Sequence, residues 1–257
     1  MKAVIVIPTY NESQNIEELV ATLRKMVTRT EPDILVIDSA SPDKTADLVR
    51  KMQPSDSRLF LIEQKAKLGL GKAYLEAMEW VLGRDYDVMF MMDADFSHHP
   101  KYLNTMLEQI ETHDLVVGSR YIPQGGVENW PAYRLALSSF ANWYAKMLIG
   151  LPFADLTSGF HCFRISLLRK ILRYNIHTEG YAFMVELKSL AILQGARFKE
   201  IPIIFGNRTR GASKMSKRVI WESVFFVIQR SFQRYRFQKK IRENEAKGSA
   251  EKSRVLV

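Results

Sequence analysis

Residues Val88 to Pro100 read VMFMMDADFSHHP, an apolar run that ends on two carboxylates one residue apart and then turns at a proline. Alternate side chains of a strand share a face. The spacing therefore predicts Asp93 and Asp95 on one side of an exposed C-terminal strand end, where open α/β sheets bind ligands. Two convergent carboxylates in that place suit a hard divalent cation carrying phosphate oxygens. Asp85 and Asp87 have the same spacing a few residues upstream, but they flank a turn, where solvated acids are ordinary, whereas Asp93 and Asp95 follow five apolar residues. Context singles out the second pair; spacing does not. The neighbouring His98 and His99 are poor ligands for Mg²⁺, and a pair just before Pro100 at a helix start reads as structural.

Further polar residues fall at the ends of the adjoining strands. Pro8, Thr9, Tyr10, Asn11 and Glu12 offer a residue that stops a ladder, an aromatic face for a base, and an acid; a turn with a helix cap reads equally well. Asp38 precedes Ser41, Pro42 and Asp43, and an acid there can accept from a nucleobase or ribose, although Ser41 and Asp43 also fit a capping turn. Gly118-Ser119-Arg120-Tyr121 presents a guanidinium for phosphate at the same edge. Asp155 and Ser158 in DLTSGF either orient a substrate or close a turn. Glu186 either contacts sugar or faces solvent. Residues 68–72, LGLGK, are too few for a phosphate-binding loop and read as a flexible turn into a helix.

The elements that must position these residues alternate in the βαβ manner, which implies a mainly parallel sheet covered on both faces. Strands are expected at 3–7, 34–38, 59–63, 88–93, 115–119, 160–164 and 198–205. Helices are expected at 16–27, 43–51, 72–81, 102–111, 132–149 and 181–194. At 257 residues and 47% hydrophobic, the chain can build one large α/β domain. A single cysteine, Cys162, excludes an intrachain disulfide and reads as a small buried hydrophobe. The apolar run before Pro8 is too short for a signal-peptide core, and no stretch reaches the length of a membrane span.

Of the net charge of +9, residues 217–257 carry 11 Lys+Arg against 4 Asp+Glu, or +7, which leaves +2 for residues 1–216. In that basic segment Trp221, Val224, Phe225, Ile228, Phe232 and Tyr235 recur at helical spacing, with Arg230 and Arg234 opposite. Such a helix can lie in the interfacial plane of an anionic membrane, or pack on the domain. The division expected is a catalytic domain over 1–216, then a basic amphipathic helix and disordered tail over 217–257. A nucleic-acid-binding module would account for the tail but leave the clustered acids unexplained, so no nucleic-acid partner is expected.

IVIPTYNE, IDSASPDKT, MDADFSHHP, GSRY, VENWPAYR, DLTSGF, GYAFMVE and IPIIFGNRTRGASK follow one another from residue 3 to residue 214. In that order and spacing they resemble the family 2 glycosyltransferases of GT-A fold, specifically the dolichol-phosphate (polyprenol-monophosphate) mannose synthases. PTYNE and DxD occur across many sugar transferases; the whole set is specific to the polyprenyl-phosphate branch. The resemblance implies a nucleotide-diphospho-sugar transferase fold, Rossmann-like α/β with a mainly parallel sheet flanked by helices. It implies inverting, metal-dependent transfer of mannose from GDP-mannose to a dolichyl or polyprenyl phosphate, giving a β-linked product.

Carried over by position, Pro8, Tyr10, Glu12 and Asp38 would hold the base and ribose, and Asp93, Ala94 and Asp95 the diphosphate. Asp93, Asp95 and Ser97 would hold Mg²⁺ or Mn²⁺. Relatives often have Gln at position 97, and Ser97 has a shorter reach; they usually have a second acid where this chain has Ser39. Arg120, Arg134 and Ser138 resemble the residues that receive the acceptor phosphate, with Asp95, Arg120 and Arg134 carrying the catalysis. Arg208 and Lys214, around Gly211, resemble a cationic loop that closes on the donor. A phosphate monoester is already anionic near neutral pH, so no general base is required. The resemblance also implies a peripheral place on the cytoplasmic face of a membrane, endoplasmic reticulum or plasma membrane according to the cell, and admits small membrane subunits as partners. Glucose from UDP-glucose is the nearest rival donor. A metal-dependent nucleotidyltransferase or phosphohydrolase is the rival outside the class.

Overall fold

The computed structural model describes residues 1–206 and Ile228. Period-two burial on the central strands sets the architecture. On β1 (Ala3–Thr9), β2 (Asp33–Asp38) and β4 (Val88–Met91), residues such as Ile5, Ile34 and Phe90 pack on one side of the sheet and Val6, Leu35 and Met91 on the other. With both faces apolar, helices must cover both. The helices α1 (Ile16–Met26), α2 (Thr45–Met52) and α4 (Leu103–Gln109) contribute Leu19, Val49 and Met106 to the first core. The helices α3 (Leu70–Leu82), α6 (Ile165–Ile171) and α7 (Gly180–Leu193) contribute Tyr74, Leu168 and Phe183 to the second.

Seven strands form the main sheet, in the order β3-β2-β1-β4-β7-β5-β8, where β3 is Leu59–Glu63, β5 Leu115–Ser119, β7 His161–Arg164 and β8 Phe198–Pro202. All neighbours run parallel except β7, which is antiparallel to both β4 and β5. The parallel strands therefore end at one edge, and β7 begins there. Strand order reverses at β1, which places a crevice between the ends of β1 and β4. The long helix α5 (Ala132–Ile149) runs between β5 and β7 in the chain, after the short strand β6 (Gly126–Val127).

Three expectations change. The segment 198–205 is two strands, because Pro202 ends the ladder with β5 and β9 (Ile204–Phe205) pairs instead with β6 in a small second sheet. Residues 165–171, unassigned in the sequence pattern, form α6. The 68–72 run leads into α3, which starts at Leu70, two residues earlier than expected. Gly69 sits at φ +110°, a Cβ on Gly71 would lie 2.4 Å from the carbonyl oxygen of Thr178, and Glu179 caps α3 by accepting from the Gly71 and Lys72 amides. Among the described residues no helix is long and apolar enough to cross a membrane. The basic helix expected after residue 216 lies outside the described residues, apart from the helical position of Ile228.

Candidate active site

The loops after β1 and β2 are fastened together by short polar side chains. Asp38 is buried and accepts from Thr9 Oγ1 at 2.8 Å, from the Ser41 amide at 2.8 Å and from Ser41 Oγ at 2.5 Å. Its carboxylate thus organises the turn between the two strand ends. The amides of Asn11, Glu12 and Ser13 donate to Ser41 Oγ, Thr45 Oγ1 and Asp43 Oδ2. Burial opposes ionisation of Asp43, but bonds from Thr45 and Ser13 prevail and lower its pKa. Asn11, Ala40 and Lys44 all sit at φ between 53° and 65°, a conformation that the interlocked bonds must hold in place. Asp43 accepts from the Thr45 amide, while Lys44 is the cap position of a helix that starts two residues later than the sequence suggests. Pro8 pairs with Ile37 on β2, and Glu12 accepts from Asn15 Nδ2. Lys67 lies over the Tyr10 ring, its Nζ 3.7 Å from the centroid. Ser39, where relatives usually carry an acid, donates to Gln64, which donates to Glu76.

β4 stops at Met91, so Asp93 and Asp95 stand on the turn beyond it and not on the strand itself. The turn is sharp, with Phe96 at φ 62°. The side chain of Asp93 is 38% exposed, whereas Asp95 is only 5% exposed, against the expectation of an open strand end. Asp95 Oδ1 accepts from the Ser97 amide at 3.1 Å and from Ser97 Oγ at 2.6 Å. Ser97 therefore orients the carboxylate directly. Ala94 between them is buried. His98 Nδ1 accepts from the Asp93 amide at 3.0 Å, and its ring stacks on Phe160. Burial lowers the pKa of His98 despite the nearby acids, so the ring is neutral and serves the turn. His99 likewise caps, by accepting from the Lys101 amide. The oxygens of this turn suit Mg²⁺ or Mn²⁺. Among the described residues no third His, Cys, Asp or Glu joins them, which fits a cation held by one or two carboxylates with substrate phosphates completing its shell.

On the other side of the edge, Arg120 is buried and fixed. Asp155, fully buried, accepts from Arg120 Nε at 2.7 Å, Nη2 at 2.8 Å and the Arg120 amide at 3.1 Å, and Nη2 also donates to Thr157 Oγ1. Trp130, Tyr121 and Phe205 surround the guanidinium at cation–π distances. Burial disfavours both charges, yet their mutual attraction prevails: the pKa of Arg120 is raised and that of Asp155 lowered. Tyr121 donates to Ser138 Oγ at 2.9 Å, tying the strand end to α5. Arg134 lies on α5 four residues before Ser138, hence on the same helical face. Arg208 and Lys214 lie outside the described residues.

The sequence did not single out Asn142, Lys188 or Glu200, which together hold the turn 154–158. Glu200 accepts from the Ala154 and Asp155 amides, Asn142 pairs with the Ala154 carbonyl and the Leu156 amide, and Lys188 donates to the Leu156 and Ser158 carbonyls. A lysine inside the apolar run of α7 was the available signal. Glu186, on the same helix, is buried and accepts from Thr178, so it does not face solvent.

The mainly parallel sheet flanked by helices has the GT-A fold of glycosyltransferase structures, as the comparisons show. The family model for glycosyl transferase family 2 matches residues 4–172. The chain belongs to that family and is a glycosyltransferase. It is 39% identical over 229 residues to the undecaprenyl-phosphate mannosyltransferase of Micrococcus luteus, covering 89% of this chain and 93% of the relative. It is 39% identical over 230 residues to the polyprenol monophosphomannose synthase of Mycolicibacterium smegmatis, covering 89% and 86%. Among solved structures, glucosyl-3-phosphoglycerate synthase of Mycobacterium tuberculosis with UDP superposes with a TM-score of 0.62 at 15% identity, over 90% of this chain and 80% of that one. The same enzyme with Mn²⁺, UDP-glucose and phosphoglyceric acid gives 0.60 at 17% identity, over 88% and 79%.

Proposed function

We propose that this chain transfers mannose from GDP-mannose to a polyprenyl or dolichyl phosphate with inversion, giving a β-linked polyprenyl-phosphate mannose. The observation that carries the reading is the extent of likeness to two relatives named for mannose transfer to, or synthesis on, a polyprenol phosphate, at 39% identity over 89% of the chain. The base and ribose lie against Pro8, Tyr10, Glu12 and Asp38, and the diphosphate reaches the turn of Asp93, Ala94 and Asp95. Asp93 and Asp95, with Ser97 beside them, would hold Mg²⁺ or Mn²⁺, which would supply positive charge to the departing diphosphate. Arg120, Arg134 and Ser138 orient the acceptor phosphate, whose oxygen attacks the anomeric carbon as the bond to the nucleoside diphosphate breaks. Arg208 and Lys214 add cationic charge over the donor.

Contact with the lipid-borne acceptor falls to α5 as well as to the basic segment 217–257. Tyr133, Leu137, Phe140, Trp143 and Met147 are all exposed, Tyr133 to 76% and Trp143 to 56%. The charged side chains of α5, Arg134 and Lys146, are both cations. An aromatic stripe beside cations suits an anionic bilayer interface, which supports peripheral binding to a membrane. Purified protein incubated with short-chain polyprenyl phosphate and labelled GDP-mannose or UDP-glucose, with Mn²⁺ or excess chelator, tests the reading. Label enters the lipid fraction from GDP-mannose and only with the metal. Transfer from UDP-glucose alone, or release of free sugar without lipid product, would contradict it.

A further inference from the structure

Lys188 lies on α7 with no exposed surface, in a run where every residue from Ala182 to Ile192 is buried. An ammonium buried among apolar side chains is costly, by several kcal/mol in typical cases, unless charge and hydrogen bonds compensate it. A leucine or methionine would fill the same space without that cost. What Lys188 reaches is specific: Nζ donates to the carbonyl of Leu156 at 3.1 Å and to that of Ser158 at 2.8 Å, the two ends of the stretch that follows Asp155. No side chain in an apolar core other than a donor could satisfy those carbonyls.

That stretch is the mount of Arg120. Five donors converge on Asp155: three from Arg120, Thr157 Oγ1, and the Ser158 amide. Ser158 Oγ in turn donates to the Gly118 carbonyl at 2.6 Å, so the turn and the end of β5 are one assembly. Glu200 on β8 accepts from the Ala154 and Asp155 amides, so the same turn is held from β8 as well as from α7.

We propose that Lys188 is a positioning residue for the acceptor phosphate, acting through the 155–158 turn on Arg120. The proposal rests on the functional reading above, in which Arg120 receives the acceptor.

The test compares the full chain with Lys188→Met, Asp155→Asn and the double variant, using short-chain polyprenyl phosphate in detergent and GDP-mannose. Lys188→Met raises the acceptor KM about tenfold, the scale of one charge-assisted hydrogen bond, while calorimetry finds GDP-mannose affinity within about twofold of wild type. In the double variant the acceptor KM is no more than about twofold above that of Asp155→Asn alone, because both changes act along one chain of contacts. If Lys188→Met fails to fold, Lys188→Gln, whose amide keeps N–H donors on a shorter side chain, shows a smaller rise in acceptor KM with GDP-mannose affinity again within about twofold of wild type. An unchanged acceptor KM, equal losses of donor and acceptor binding, or multiplicative effects in the double variant would overturn the assignment. A wild-type protein that labels no polyprenyl phosphate at all shows that the functional reading has failed, and the inference falls with it.

Discussion

The two halves of the site are built by different means. The half assigned to the nucleotide joins the ends of β1 and β2 with hydroxyls and carboxylates that accept from backbone amides, as Asp38 does from Ser41 and Asp43 from Ser13. No ion pair links those two loops among the described residues. The half assigned to the acceptor rests on a buried ion pair, Arg120–Asp155, held by side chains from β8, α5 and α7. Many small bonds degrade gradually when one is lost, whereas a buried charge that loses its partner is left uncompensated. Loss of one bond should therefore be absorbed in the half assigned to the nucleotide and be costly in the half assigned to the acceptor.

The largest expected effect comes from the acidic turn between the halves. Asp95→Ala lowers kcat by about a thousandfold or more, in line with the loss of a charge-stabilising group at a reacting centre. Because Asp95 is buried and accepts from Ser97, melting also drops by a few degrees, about 1–2 kcal/mol. Near-normal turnover would remove the metal from the account.

Asp155→Ala tests fragility. It strands Arg120 in a buried site and should cost about 3–5 kcal/mol, read by chemical denaturation. Ser41→Ala, which removes the hydroxyl that accepts from the Asn11 amide and donates to Asp38 but removes no charge, should cost less than half as much, and equal losses would erase the contrast between halves. Arg134→Ala changes only the half assigned to the acceptor. Acceptor KM should rise by roughly tenfold to a hundredfold with donor affinity unchanged in calorimetry; loss of donor binding instead would exchange the halves.

The smallest effect is on stability against pH. Burial lowers the pKa of Lys188 to about 7, against 10.5 for the ordinary group. Between those values the unfolded chain carries the proton that the folded chain lacks, so the contribution of this residue to unfolding free energy rises with pH, by about 1 kcal/mol per unit. Below pH 7 both states are protonated and the contribution is flat. Denaturation at pH 7, 8 and 9 should show a rise in wild type that Lys188→Met lacks; parallel curves would place the Lys188 pKa near its ordinary value.

The same contrast governs what could be read in advance. Consecutive βαβ units put β1 beside β2 and aim their ends at one edge, so PTYNE and ASPD could be assigned to one place from order and periodicity. The position of the acidic turn followed likewise, although not the burial of Asp95, which depends on Ser97 and the Phe96 turn. The acceptor side depends on β7 entering antiparallel between β4 and β5, and no local pattern announces that insertion. It brings Asp155 under Arg120 across 35 residues, and Lys188 under Leu156 across 32. A guanidinium that looked open for phosphate in the sequence is thus already bidentate to a carboxylate, and its place in the site depends on partners the motifs did not include.

A crystal structure of the full chain with GDP, Mn²⁺ and a short-chain polyprenyl phosphate tests the division most directly. The account predicts the diphosphate and Mn²⁺ at Asp93 and Asp95, and the acceptor phosphorus beside Arg120 and the first turns of α5, with the Arg120–Asp155 pair retained. An acceptor phosphate seated among the β1 and β2 loops, or a diphosphate bound at Arg120 away from the acidic turn, would contradict it.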